Sequence, residues 1–497
     1  MCAKDTIFSS LLQYIDVREG RNVARVIKKI YFCTIFFIRR SAIDNINTMI
    51  MKRLAIFAIV ATFFALDLAA QTSHVSRGAA PARSEIMSFD TRRNANDDNR
   101  TNVQQYVTFA PVALTSTATV QSVGQVLEVP QIWNNRDMYL HIENPHGAYS
   151  LYINGSLVAR STDTRTPMEF YISPYVNHGR NAIVIDVETS GEPLLSSSLA
   201  ANPRAQFENS YIYSQPKLRI YDYDVRFEPD STRTFGWLEL NIIAGNSHNY
   251  TETMEVGYDL TDPAGKLQDY NMRECSIEGH SVDTVHFRMP IYKTNQWLWS
   301  QRTPHLYKLT MYSKLGQMMT DYIPIRLCFG DTRFDGERLL RNGKEFKIKA
   351  ARYNAEKSRT QTLKDLRALK SRGVNTIYVD YPQVYWFYDQ CEQVGLFVVD
   401  QANLNVERGR NDRTIGGTPS NDPTLVDEYV DRVRRMYRRN RNRTCIIAWS
   451  LGGNSGNGYA MYKAYQWLKA QGDERPIVYR DADGEWNSDW QLPATIE

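Results

Sequence analysis

The strongest constraint in this sequence is a change of hydrophobic rhythm near residue 334. Before it, over residues 103–327, apolar residues come in short alternating runs broken by Gly, Asn, Asp and Pro. Examples are Met138-Tyr139-Leu140-His141-Ile142, Tyr149-Ser150-Leu151-Tyr152-Ile153 and Asn181-Ala182-Ile183-Val184-Ile185-Asp186-Val187. A period of two buries one face of a strand, and many short strands at this spacing build β-sandwiches. Asn154-Gly155 lies between two such runs, and a type I′ hairpin turn needs positive φ at both of its central positions. The length accommodates two sandwiches, residues 103–217 and 218–330.

After residue 334 short apolar strands alternate with helices. Phe346-Lys347-Ile348-Lys349-Ala350 precedes a helix with Leu363, Leu366 and Leu369 at helical spacing, and Ser358 with Gln361 reads as its capping box. Thr376-Ile377-Tyr378-Val379-Asp380, a helix over residues 385–394, Leu396-Phe397-Val398-Val399-Asp400, a long helix from about Thr424, Cys445-Ile446-Ile447-Ala448-Trp449-Ser450 and Pro476-Ile477-Val478-Tyr479 follow. Repeated βα units without a Gly-rich dinucleotide turn favour a barrel over a Rossmann sheet. About five strands fit into residues 331–497, and five cannot close an eight-stranded barrel. Open parallel edges leave three outcomes: a non-barrel rearrangement, an unstable truncated product, or a stable protein partner covering the open barrel.

The chain of 497 residues carries 59 basic and 55 acidic groups, a formal charge of +4, so no global charge drives it toward nucleic acid or membranes. Its densest charge is the run Arg432-Val433-Arg434-Arg435-Met436-Tyr437-Arg438-Arg439-Asn440-Arg441-Asn442-Arg443. On a helix this places Val433, Met436 and Tyr437 inward and the arginines outward. That face is either solvated or a docking surface for an anionic polysaccharide or an acidic partner. Cys275, Cys328, Cys391 and Cys445 are far apart and form no CxxC pair, so zinc ligation is not expected and no metal or cofactor is assigned. Reduced core thiols are the preferred reading.

Met51-Lys52-Arg53, the apolar run over residues 54–66 and Ala69-Ala70-Gln71 form a secretory signal. The run is too short to span a bilayer, as is Ile30-Tyr31-Phe32-Cys33-Thr34-Ile35-Phe36-Phe37-Ile38 upstream. Export to the periplasm, the outer-membrane surface or the medium is expected, with no integral span. Residues 1–50 read as a start-site artefact, 51–71 as the signal and 72–102 as a polar linker.

Three groups of motifs resemble the β-galactosidase branch of glycoside hydrolase family 2. Tyr152-Ile153-Asn154-Gly155, Arg165-Thr166-Pro167-Met168-Glu169-Phe170, Pro174-Tyr175-Val176 and Gly179-Arg180-Asn181 are similar to its jelly-roll sugar-binding domain. Trp299-Ser300 with Pro304-His305-Leu306-Tyr307-Lys308-Leu309 resembles the end of its immunoglobulin-like domain. Asp400-Gln401-Ala402-Asn403 and Trp449-Ser450-Leu451-Gly452-Gly453-Asn454-Ser455 resemble its two barrel signatures. The resemblance implies a multidomain chain: a jelly-roll β-sandwich, an immunoglobulin-like β-sandwich and a partial (β/α)8 TIM-type barrel.

The same resemblance exposes departures. Where the family carries its general acid/base Glu, this chain has Asn454, and the preceding Asn is Gly453. Two further Glu positions read Gln401 and Asn405, and the Arg and His of the family's second strand end are missing from Tyr378-Val379-Asp380-Tyr381-Pro382. An amide has no proton to cycle near neutral pH, and loss of positioned acid–base catalysis costs roughly 100- to 10,000-fold. The family's nucleophile lies on a later strand, outside this sequence. Asp400 and Asp481 are the candidate substitute carboxylates, against a reading in which such residues cap helices or close turns. Asn403, Asn454, Tyr381 and Asp380 are the candidate ligand-binding residues. The expected function is an exported, non-catalytic protein that binds carbohydrate or joins an envelope or surface complex. A weak hydrolase with relocated carboxylates, or a fragment of such an enzyme, stays open beside it.

Overall fold

A computed structural model of the chain describes residues 78–97, 106–190, 195–196, 204–414 and 416–496. The expected start-site artefact and signal peptide lie outside them. All belong to one compact unit, His74–Glu497.

The first sandwich pairs a four-stranded sheet, in the order Tyr106–Thr108, Tyr211–Gln215, Asp137–Ile142 and Met168–Tyr171, with a five-stranded one. The latter runs Val112–Ser116, Val120–Glu128, Arg180–Glu188, Tyr149–Ile153 and Ser156–Ser161. Alternate residues of each strand point inward, so Leu140, Phe170 and Ile212 meet Leu151, Ile183 and Ile185 in one core. Asn154 and Gly155 adopt φ of 50° and 80°, the positive values that the hairpin reading required. The second sandwich packs Leu218–Pro229, Phe235–Asn246 and Ser281–Tyr292 against Leu267–Ile277, Glu252–Thr261, Tyr307–Leu315 and Met318–Leu327.

Residues 78–97 depart from the linker expected over 72–102. The buried Arg83 donates to Glu169 (3.1 Å), to the Tyr213 hydroxyl (2.9 Å) and to the Tyr221 carbonyl (2.7 Å). Ala79 bridges to Phe170 in the first sandwich and Phe89 to Tyr322 in the second. The segment is polar and aperiodic because it is mostly irregular chain satisfied by its neighbours, not because water solvates it.

The third region contains β1 (Ala350–Arg352), α1 (Arg359–Ser371), β2 (Thr376–Tyr378), α2 (Tyr385–Val394), β3 (Phe397–Gln401), α3 (Val426–Asn440), β4 (Ile446–Ser450), α4 (Tyr459–Lys469) and β5 (Ile477–Val478). The five strands are parallel, in sequence order. Ser358 caps α1 by accepting from the Gln361 N–H (3.4 Å), but the Gln361 amide turns to Asp365 (2.8 Å) instead of completing the box.

The C-terminal segment of the described residues contacts both edges of this sheet. Residues 488–496 run between them: Trp490 bridges to Val478 of β5, Thr495 bridges to Ala350 of β1, and the Ile496 N–H donates to the Ala350 carbonyl at 2.8 Å. Each edge thereby gains an isolated backbone bridge within the chain. Among the described residues no helix is long and apolar enough to cross a membrane.

Arg438 of α3 is exposed and Arg434 half-buried, but the other arginines of the helix do not face water. Arg432, Arg435 and Arg439 are buried. Arg432 donates to the Ser196 hydroxyl, to the Asn403 carbonyl (both 2.7 Å) and to the Thr162 carbonyl (3.2 Å). Arg439 pairs with Glu85 at 2.9 Å, and Arg441 with Asp222 at 2.8 Å. A long cationic stem packs apolar surface along its length and satisfies distant acceptors at its tip. The run fastens the barrel region to both sandwiches and to residues 78–97.

Candidate functional site

A cleft of about 980 Å³ opens beyond the C-terminal ends of the parallel strands. Chemistry on such folds is built there because side chains from several strand ends converge. Asp380 follows β2, Gln401 ends β3, Asn405 lies in the next loop and Asn454 follows β4; all four line the cleft. Residues 488–495 form a further wall that includes Trp490.

The loops after β3 and β4 are joined by backbone bonds: Gly453 N–H to the Leu404 carbonyl and Val406 N–H to the Asn454 carbonyl, both at 2.7 Å. This brings the four departures together. A Cβ on Gly453 would lie 3.3 Å from Asn405 Oδ1 and 3.4 Å from Gln401 Nε2. Gln401 donates to the Asp380 carbonyl (2.9 Å) and accepts from Ser450 (3.2 Å). Asn454 Nδ2 donates to Glu407 at 3.2 Å. Glu407 is exposed and is the one carboxylate hydrogen-bonded to the Asn454 side chain among the described residues. Asp380 pairs with Arg352 and accepts from Asn354 Nδ2 at 2.8 Å.

Other candidates lie elsewhere. Asp400 is fully buried, accepting from the Tyr388 hydroxyl (2.8 Å) and Asn440 Nδ2 (2.7 Å). Burial pushes its pKa up to about 6 against the pull of those two donors. It does not line the cleft. Asp481 is held by Arg410 (2.6 and 2.9 Å) and by the backbone N–H groups of Ser455 and Gly456 (both 2.9 Å). It closes the loop after β4, and its oxygens are committed. Asn403 is buried and donates to Asp163 of the first sandwich at 2.5 Å and to Ser196 at 3.1 Å. Tyr381 is buried too: its hydroxyl donates to Glu356 (2.8 Å) and the Arg165 guanidinium lies 4.8 Å above its ring. Asn403 and Tyr381 therefore join domains. Of the candidate residues, the cleft holds Asp380 and Asn454. Sequence reasoning did not name Arg352, Tyr479 or Trp490 as lining residues; Arg352 and Tyr479, next to strand ends, carried the signal that could have found them.

The architecture is thus two β-sandwiches ahead of a βα region whose strand ends line a polar cleft. Residues 78–218 match the sugar binding domain of glycosyl hydrolases family 2, and residues 336–492 match that family's TIM barrel domain. The chain belongs to glycosyl hydrolases family 2 and is β-galactosidase-like. It is 27% identical over 374 residues to a β-galactosidase of Psychromonas ingrahamii, a match covering 71% of this chain and 35% of that protein. The match to a β-galactosidase of Priestia megaterium is 26% over 370 residues, covering 70% and 35%. The chain thus spans about a third of the length of these relatives. Among solved structures, Bacteroides uniformis β-glucuronidase superposes with a TM-score of 0.62 at 17% identity, covering 73% of this chain and 46% of that one. A β-glycosidase from Bacteroides vulgatus gives 0.61 at 20%, covering 74% and 47%. These likenesses establish the fold.

Proposed function

We propose that this chain is an exported family 2 protein that binds carbohydrate in the barrel cleft without hydrolysing it. The observation that carries this reading is the cluster of Gln401, Asn405, Gly453 and Asn454. Where the resemblance places carboxylates and a sugar-contacting Asn, three amides and a glycine stand together at one strand-end patch. Amides donate and accept hydrogen bonds with sugar hydroxyls, but they do not shuttle protons. Retaining hydrolysis needs a carboxyl that protonates the leaving oxygen and then deprotonates water. Asp400 and Asp481 cannot replace it, one being sealed in the core and the other locked to Arg410.

The test offers purified protein aryl β-galactosides, β-glucuronides and β-mannosides, beside Asp380→Asn and Glu407→Gln variants. No turnover above buffer is expected, while the corresponding free sugars perturb Trp490 fluorescence. Enzyme-like hydrolysis abolished by either variant overturns the proposal and points to Asp380 or Glu407 as a relocated acid. Export is tested by locating the protein in fractionated cells, where recovery from the cytoplasm alone rejects it.

A further inference from the structure

A second cleft, of about 380 Å³, lies where residues 78–97, the second sandwich and the barrel region meet. It shares no lining residue with the strand-end cleft. Its volume is within the range of about 300–1,000 Å³ typical of small-molecule sites.

The charge on its walls is unbalanced. Both lining carboxylates are already committed: Asp389 is paired with Arg443, and Glu85 is paired with Arg439 at 2.9 Å. Three lining cations have no such counterpart. Lys308, on the strand Tyr307–Leu315, donates to the neutral Asn96 Oδ1 at 2.6 Å. Burial, together with the nearby positive charges of Arg92 and Arg326, lowers its pKa. Arg326, on the adjacent strand Met318–Leu327, and Arg359, the first residue of α1, form no ion pair among the described residues. Lys308 feels the positive charge of Arg326 and shares the cleft with Arg359, and a bound anion would relieve the charge gathered there.

We propose that this cleft binds a small polyanion whose carboxylate, sulfate or phosphate oxygens engage Lys308, Arg326 and Arg359 together. Guanidinium groups bind such oxygens in a bidentate fork and Lys308 supplies a compact third charge. The site is independent of the strand-end cleft, so failure of binding at either place leaves the other result standing.

Isothermal titration of the full chain with digalacturonate, a disulfated disaccharide and inorganic pyrophosphate tests the proposal and separates the three sources of anionic oxygen. At least one probe is expected to bind with Kd of about 1 mM or tighter, more weakly in 0.3 M than in 0.05 M NaCl because the contacts are ionic. The Arg326→Gln/Arg359→Gln pair is expected to reduce that affinity about tenfold or more, the loss of two charge-assisted contacts, whereas Asn454→Ala leaves it unchanged. Arg326 and Arg359 are exposed, so the double variant is expected to keep the wild-type melting temperature; Lys308→Gln provides a second, independent loss of charge. Absence of binding by all three probes, or equal binding by the wild type and a folded charge-loss variant, overturns the proposal.

Discussion

Asn403 donates a hydrogen bond of 2.5 Å to Asp163, a residue 240 positions earlier in the chain. A side chain that the barrel signature marks for sugar contact is thereby spent on the junction with the first sandwich. Asp163 also accepts from the backbone N–H groups of Arg165 (3.1 Å) and Thr166 (3.0 Å), so its carboxylate organises the loop that presents Arg165 to Tyr381. Asn403→Ala leaves a buried carboxylate short of one donor, at a cost of about 1–3 kcal/mol. Urea unfolding is expected to show that loss while sugar affinity at the strand-end cleft stays within twofold. A selective loss of sugar affinity with unchanged stability would return Asn403 to the ligand site.

Arg432 is the other large element of this junction, with all of its hydrogen-bond acceptors on neighbouring segments. Arg432→Met keeps most of the apolar stem but strands the Ser196, Asn403 and Thr162 oxygens. The expected destabilisation is about 2 kcal/mol or more. Native-state hydrogen exchange should report it as faster opening of both the first sandwich and α3. Unchanged protection of the sandwich would show that the arginine holds only its own helix.

Two buried groups give stability an opposite preference from ordinary acid denaturation. His141 lies 3.6 Å from Glu143 and 3.8 Å from Glu169. Burial opposes its charge, but the two carboxylates prevail and raise its pKa to about 9. With an unfolded value near 6.5, its contribution is complete below about pH 6.5 and is lost as pH rises through about 9. Asp400, at about 6 in the fold and about 3.9 unfolded, prefers its proton in the native state. Its contribution is complete below about pH 4 and disappears as pH rises through about 6. Urea midpoints measured across pH should decline less between pH 4 and 6 in Asp400→Asn than in wild type. His141→Gln should flatten the profile between pH 6.5 and 9. Superimposable profiles for wild type and variants would refute the assignments.

Gly395 ends α2 with φ of 82°, and its N–H donates to the Cys391 carbonyl at 2.8 Å. A Cβ there would sit 2.7 Å from the Gln301 carbonyl oxygen. Gly472 has a similar φ of 69° but open space around it. Gly472→Ala is therefore expected to cost only the left-handed strain, about 1–2 kcal/mol, and Gly395→Ala clearly more. Equal shifts in thermal midpoint for the two variants would show that the Gln301 contact yields freely.

The amino-acid sequence by itself determined the elements. Periodicity and turn chemistry are local, so the alternation in Asn181-Ala182-Ile183-Val184-Ile185-Asp186-Val187, the Asn154-Gly155 turn and the βα succession from Arg359 on were legible without neighbours, whereas residues 332–345 fold into a small antiparallel sheet and the first parallel strand is Ala350–Arg352 instead of the expected Phe346–Ala350. The chemistry of Asn454 was legible for the same reason, because an amide cannot act as a carboxylic acid in any surroundings. Tertiary structure alone decided the fate of groups whose role depends on partners far along the chain. Asp481 became a loop anchor through Arg410, Arg439 an interdomain tie through Glu85, and residues 78–97 a packed segment through Glu169 and Tyr322. A charged side chain on an isolated helix is predicted to face water. Arg432 instead faces carbonyl and hydroxyl oxygens contributed by residues 162, 196 and 403, which only the folded chain brings within reach.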